Sequence, residues 1–102
     1  MKSIILGDKE KECYVCHSKY AVEEHHIFGG NADRNVSEKY GLKVHLCWDH
    51  HHGTYGCHGR EGQGIQRALH QIGQQAIEEQ WEKQGESDPR GRFIREFRKS
   101  YL

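Results

Sequence analysis

The chain has 102 residues, 15 basic and 15 acidic side chains, nine histidines, four cysteines and 34% hydrophobic content, with a mean hydropathy of −0.98. That size and polarity allow at most one thinly cored domain, for which a structural metal is the usual remedy, and they leave no apolar run long enough to cross a membrane. A net charge of zero argues against a protein that coats nucleic acid through bulk positive charge, though not against a local basic surface. The apolar start, residues 1–7, is too short for a secretion signal, so the expectation is a cytosolic protein. In a reducing compartment four cysteines read as metal ligands rather than as two disulfides.

In chain order, residues 1–12 are a short apolar start followed by the charged run Asp8-Lys9-Glu10-Lys11-Glu12, expected to be solvated and partly flexible. Cys13 and Cys16 make a first knuckle within residues 13–20. Residues 21–28 predict a strand that Gly29-Gly30 ends, and the polar residues 31–36 predict a loop. One helical turn over 37–40 is stopped by Gly41, and 42–46 alternates apolar and polar as a second strand. A short helix from Cys47 carries histidines to Gly53, and the glycine-rich stretch 53–64 is expected to be irregular. The clearest helix is 65–83, where Ile65, Leu69, Ile72, Ala76 and Trp81 approximate a 3.6-residue spacing. After the break at 85–89, the tail from Arg90 carries five basic residues, with Phe93, Phe97 and Tyr101 recurring every four positions. The fold class is therefore α+β. It comprises a metal-binding body over 13–84 with a long covering helix, a short segment over 1–12 before it and a basic helical tail over 85–102 after it.

Cys-x-x-Cys with no βαβ pattern around it favours metal over redox chemistry. Cys47 and His50 repeat the spacing at a strand-to-helix junction, with thirty residues between Cys16 and Cys47, which gives a four-ligand structural zinc site of Cys13, Cys16, Cys47 and His50. The competing set replaces His50 with Cys57 and releases His50. Zinc in either set supplies folding free energy.

Six of the nine histidines fall between positions 25 and 52, and His58 follows closely. Adjacent His25 and His26 on a strand point to opposite faces, so one can bind a metal while the other addresses a water. His51 directly follows a zinc ligand, and His58 lies beyond a glycine-rich turn that can fold back to the same place. A neutral imidazole suits the deprotonation of water near pH 7, and a divalent cation suits the polarisation of a phosphate. An all-histidine set favours Mn²⁺, Ni²⁺, Zn²⁺ or Co²⁺ over Mg²⁺, and Glu24 or Asp49 can add an oxygen. His17, His45, His52 and His70 read as bystanders, and Trp48 and Trp81 as core.

Glu24-His25-His26-Ile27 followed by Leu46-Cys47-x-x-His50-His51 resembles the HNH endonuclease superfamily with its ββα-metal finger. The stretches 25–30, 37–44 and 46–47, and the ending Phe97-Arg98-Lys99-Ser100-Tyr101-Leu102, resemble small HNH-type proteins common in phages and prophages. The resemblance implies a DNA endonuclease with a catalytic site of His26, His25 and His51, His26 as general base. It also implies a catalytic divalent metal (Mg²⁺, Mn²⁺ or Ni²⁺) on His25 and His51, to which the residue pattern adds His58, beside the structural Zn²⁺. Its partner is expected to be double-stranded DNA, with phage packaging proteins as a further class, in the cytoplasm of a bacterial host. Arg34, Arg60, Arg95 and Arg98 are the expected nucleic-acid contacts. Where the family has a middle Asn this chain has Leu42, and Asn31 or Asn35 are the loop residues that could replace it. The alternative reading is a non-catalytic zinc module that binds nucleic acid or protein within a phage DNA-processing assembly.

Overall fold

Two short strands, β1 (Glu23–His26) and β2 (Lys43–Leu46), pair antiparallel in a computed structural model that describes residues 1–102. The register sets Glu23 against Leu46, Glu24 against His45, His25 against Val44 and His26 against Lys43. Alternation then sorts the side chains. His25, Val44 and Leu46 are buried, while Glu24, His26, Lys43 and His45 form a polar set on the opposite face.

The outer edge of β2 is covered by the N-terminal segment. The Tyr14 amide donates to the His45 carbonyl (2.7 Å) and the Ser3 hydroxyl to the Lys43 carbonyl (2.5 Å). Asp8 accepts the His45 amide at 2.7 Å and pairs with its Nδ1 at 2.8 Å. These bonds satisfy groups that a bare edge would leave open. Asp8, expected in a solvated run, is 3% exposed in its side chain, because both carboxylate oxygens are committed to His45.

The largest departure from the sequence reading is α1 (Asn31–Tyr40), one ten-residue helix where a loop and a single turn were expected. Its asparagines and aspartate read locally as breakers, but tertiary bonds override them. Ser37 Oγ donates to the Phe28 carbonyl (3.0 Å) and accepts the Phe28 amide (3.1 Å), and Arg98 Nη2 reaches Asp33 Oδ1 at 2.7 Å. Gly41 ends the helix in the left-handed region at φ 71°, and the Leu42 amide returns to the Ser37 carbonyl at 2.8 Å.

Helix α2 (Trp48–His52) is a single short turn capped by Cys47. The stretch 53–62 that follows contains no helix or strand, as its glycines foretold, but it is closely packed on itself. A Cβ on Gly59 would overlap the Gly53 carbonyl oxygen, so that approach requires glycine. Helix α3 (Gln63–Lys83) begins two residues before the expected start and ends where expected. Its buried line is Leu69, Gly73, Ile77 and Trp81 with Gln74, while Ile65, Ile72 and Ala76 are only partly buried. Gly73 lets the helix sit on β1's exit: a Cβ there would lie 3.1 Å from both Ile27 and Phe28.

Helix α4 (Pro89–Phe97) starts with Asp88 accepting the Gly91 amide at 3.0 Å and buries Phe93 and Phe97. Tyr101 is not on the same helical face, because Arg98 turns the chain at φ 71°. It returns as an irregular segment to the same core. Trp81 is 1% exposed, but Trp48, expected in the core, is 49% exposed, since α2 is too short to bury its outer side.

Phe28 joins these elements. Its ring lies 4.6 Å from Phe97, 5.5 Å from Phe93, 5.3 Å from Tyr101 and 5.1 Å from His70, stacked on the last at 11°. Phe28→Ala is expected to cost about 3–5 kcal/mol in urea unfolding, by lost transfer energy and the cavity left behind. Leu6→Ala, at a residue 94% exposed, should stay within about 0.5 kcal/mol. Equal costs for the two would contradict the central place given to Phe28.

Candidate functional site

The first knuckle and the start of α2 meet. Cys13 Sγ lies 3.6 Å from His50 Nδ1, Cys16 Sγ lies 3.8 Å from Cys47 Sγ, and Cys47 Sγ lies 3.2 Å from His50 Nδ1. In a tetrahedral zinc site two sulfurs stand about 3.8 Å apart, and a sulfur and an imidazole nitrogen about 3.6 Å apart. The donor set Cys13, Cys16, Cys47 and His50 therefore fits a zinc ion in both chemistry and span, and all four ligand atoms lie within 4.8 Å of one another. Burial works against ionisation of Cys13, but backbone hydrogen bonds from Cys47, Cys16 and Val15 outweigh it and hold the thiol down to about 7. Cys57 is fully buried outside this cluster, and burial pushes its thiol up to about 11. Between the two ligand sets open in the sequence, the geometry favours the one with His50.

The same turn of α2 carries the second cluster. His51 follows His50, and His58 is brought back to it by two backbone bonds, Cys57 amide to His50 carbonyl (2.9 Å) and His58 amide to His51 carbonyl (2.8 Å). His25 arrives from the buried face of β1. The three ring centroids stand 5.1, 5.2 and 4.7 Å apart, and the three candidate ligand nitrogens lie within 4.8 Å of one another. Burial, and then the neighbouring His51 and His58, push His25 down to about 3. Its imidazole is therefore neutral across the physiological range, the form that ligates a metal. Burial likewise lowers His51.

His51 is oriented by Glu23, which no motif or spacing singles out. Glu23 Oε1 lies 3.2 Å from His51 Nδ1 and 3.0 Å from His52 Nε2. An ionised carboxylate only accepts, so His51 Nδ1 carries the proton and Nε2 keeps the free lone pair that can ligate a metal. His52, expected as a bystander, shares this carboxylate.

His26 stands on the other face of β1 but also lines the cleft. Its Nε2 meets Glu38 Oε1 at 2.9 Å, and that bond foremost holds the Glu38 carboxyl down to about 2. By the same reasoning His26 Nε2 carries the proton and Nδ1 is the nitrogen left to accept one. Glu24, His26 and Glu38 also lie close enough to share a cation. Lys43 Nζ already occupies that role, 3.2 Å from Glu24 Oε2 and from both oxygens of Glu38.

These residues open on a cleft of about 340 Å³ floored by His25, His51 and His58, with Glu24, His26 and Arg34 along its walls. Asp49 is not among its lining residues, nor are Asn31 and Asn35, and Leu42 is fully buried. Of the expected nucleic-acid contacts, Arg34 alone reaches the cleft. Arg60 sits beside Glu61, Arg95 is exposed on α4, and Arg98 is committed to Asp33. His70, also read as a bystander, lines the cleft, half-buried against Phe28. His17 lies apart, and His45 belongs to the Asp8 pair.

Cys47→Ala is expected to lose one zinc per chain and to abolish cooperative thermal unfolding, while Cys57→Ser keeps the full zinc stoichiometry by atomic emission. Zinc loss on Cys57→Ser would restore the four-cysteine set.

No protein-family model matches the chain, and no curated protein or solved structure matches it.

Proposed function

We propose that this protein is a metal-dependent, HNH-type DNA endonuclease. The observation that carries the reading is the convergence of His25, His51 and His58 on one cleft that His26 also lines, beside a Cys₃His cluster fit to staple the same turn. One zinc has a structural role in this reading. A second divalent cation, held by the three histidines, would supply a Lewis acid for the scissile phosphate and its departing 3′ oxygen.

The chain's own groups account for the rest. Glu38 fixes the His26 ring by its Nε2 proton and leaves Nδ1 to take a proton from water. The water oxygen bonds to phosphorus, the bond from phosphorus to the 3′ oxygen breaks, and that oxygen takes a proton from solvent, leaving a 5′-phosphate and a 3′-hydroxyl. Glu23 holds His51 in its ligating tautomer. Arg34, exposed on the cleft wall with no carboxylate partner, is available to a phosphate oxygen.

The buried Leu42, at the place of the family's middle Asn, favours a second reading, a zinc module that binds DNA without cutting it. Supercoiled plasmid separates the two. Wild type with Mg²⁺, Mn²⁺ or Ni²⁺ is expected to give nicked or linear product, abolished by EDTA. His26→Ala should lower the rate by about 10²- to 10⁴-fold, with Glu38→Gln falling between. Intact plasmid under every metal, with salt-dependent DNA binding retained in His26→Ala, would select the binding module.

A further inference from the structure

A second cleft adjoins the histidine cleft at His70. This neighbour, about 450 Å³, is bounded by Gln63, Arg67, Lys99 and Tyr101 and shares Gln66 and His70 with the first. Its lining contains no carboxylate, in a chain with as many acidic as basic residues.

The pairing of the arginines sharpens the contrast. Of seven in the chain, Arg60, Arg90, Arg92 and Arg98 stand beside carboxylates. Arg34, Arg67 and Arg95 have no such partner, and two of these three line the clefts, Arg34 in the first and Arg67 in the second. Lys99, also without a carboxylate, holds its Nζ 4.7 Å from the Tyr101 ring centroid.

The aromatic wall is fixed in place. Tyr101 lies 4.5 Å from His70, which stacks on buried Phe28. Its amide donates to Gln74 Oε1 at 2.7 Å and its carbonyl accepts from Gln71 Nε2 at 3.2 Å. Gln74 is itself fully buried. A fixed aromatic edge flanked by two cations without carboxylate partners, in a cleft whose lining holds no Asp or Glu, is the surface that a sugar–phosphate chain and its bases require.

We propose that the second cleft binds the DNA strand next to the scissile phosphate. Arg67 and Lys99 contact its backbone phosphates, and the Tyr101–His70 pair packs against the adjoining nucleotide. The inference rests on reading the histidine cleft as the place where a DNA phosphate sits. It assigns the C-terminal segment a part in substrate binding, through Lys99 and Tyr101 rather than through Arg95 and Arg98.

The test is fluorescence anisotropy of a labelled duplex oligonucleotide with the zinc-loaded protein, no second metal added, across a series of salt concentrations. Arg67→Ala/Lys99→Ala is compared with Lys83→Ala/Arg90→Ala, which removes the same charge from exposed residues paired on α3 and α4. All four positions are solvent-facing, so both variants should fold. The cleft variant is expected to bind several-fold more weakly, with the slope of log K against log salt reduced by about 2. The control variant should match wild type. If wild type cuts plasmid but the cleft variant keeps its affinity and slope, the second cleft is not the strand's path, and the nuclease reading stands. If the slope falls as expected and no metal supports cutting, the cleft assignment stands without the nuclease. Equal losses in the two variants, or no binding by wild type, would overturn the inference.

Discussion

The turn that begins at Cys47 is the constraint on which the site depends. Cys47 and His50 close against Cys13 and Cys16, with sulfur and nitrogen atoms spaced as a tetrahedral ion would space them. Five residues cannot hold a helix by their own hydrogen bonds, so α2 needs this outside tie. Once it is tied, the carbonyls of His50 and His51 receive the amides of Cys57 and His58. The orientation of one ligand and the return of another thus follow from one short turn. In the proposed reading, a zinc ion on Cys13, Cys16, Cys47 and His50 supplies that tie, and its loss would scatter the histidine cluster.

β1 contributes in a different way. A strand presents consecutive residues to opposite faces, and this one uses the property to separate two roles in adjacent histidines. His25 goes to the buried side, where desolvation keeps it neutral. His26 goes to the polar side, where Glu38 and Lys43 surround it. For His51 and His26 a carboxylate decides which nitrogen is free: Glu23 for His51 and Glu38 for His26. Both carboxylates are partly exposed, and both are drawn to their ionised form foremost by the histidines they bind.

Much of this was legible in the sequence because ligand chemistry leaves a spacing signature. The knuckle residues, the paired histidines, both strands and the long α3 all follow from local pattern, and the three-histidine cluster from His51's position and a glycine-rich return. What was not legible depends on packing. α1 is a helix because Ser37 and Asp33 find distant partners, not because its residues prefer helix. Glu23 is 28 residues from His51, and Glu38 lay in what read as a single isolated turn, so neither announced a partner. Trp48 looked like core by composition, yet half of it faces solvent on a helix too short to cover it. Tyr101 kept the four-residue rhythm of Phe93 and Phe97, although the chain leaves the helix at Arg98. The pairing state of each arginine, which separates Arg34 and Arg67 from Arg98, exists only in three dimensions.

The central claim is that the Cys₃His turn supports a second, all-nitrogen metal site oriented by Glu23. Its most direct test is titration of the metal-free protein with Co²⁺, followed by optical absorption, in wild type, Glu23→Gln and His58→Ala. The account predicts two steps in wild type: first a tetrahedral site with thiolate charge-transfer bands, then a site without them. The second step should weaken by about 10- to 100-fold in Glu23→Gln and vanish in His58→Ala, with the first unchanged. A single step in wild type, or a second step indifferent to both substitutions, would contradict it.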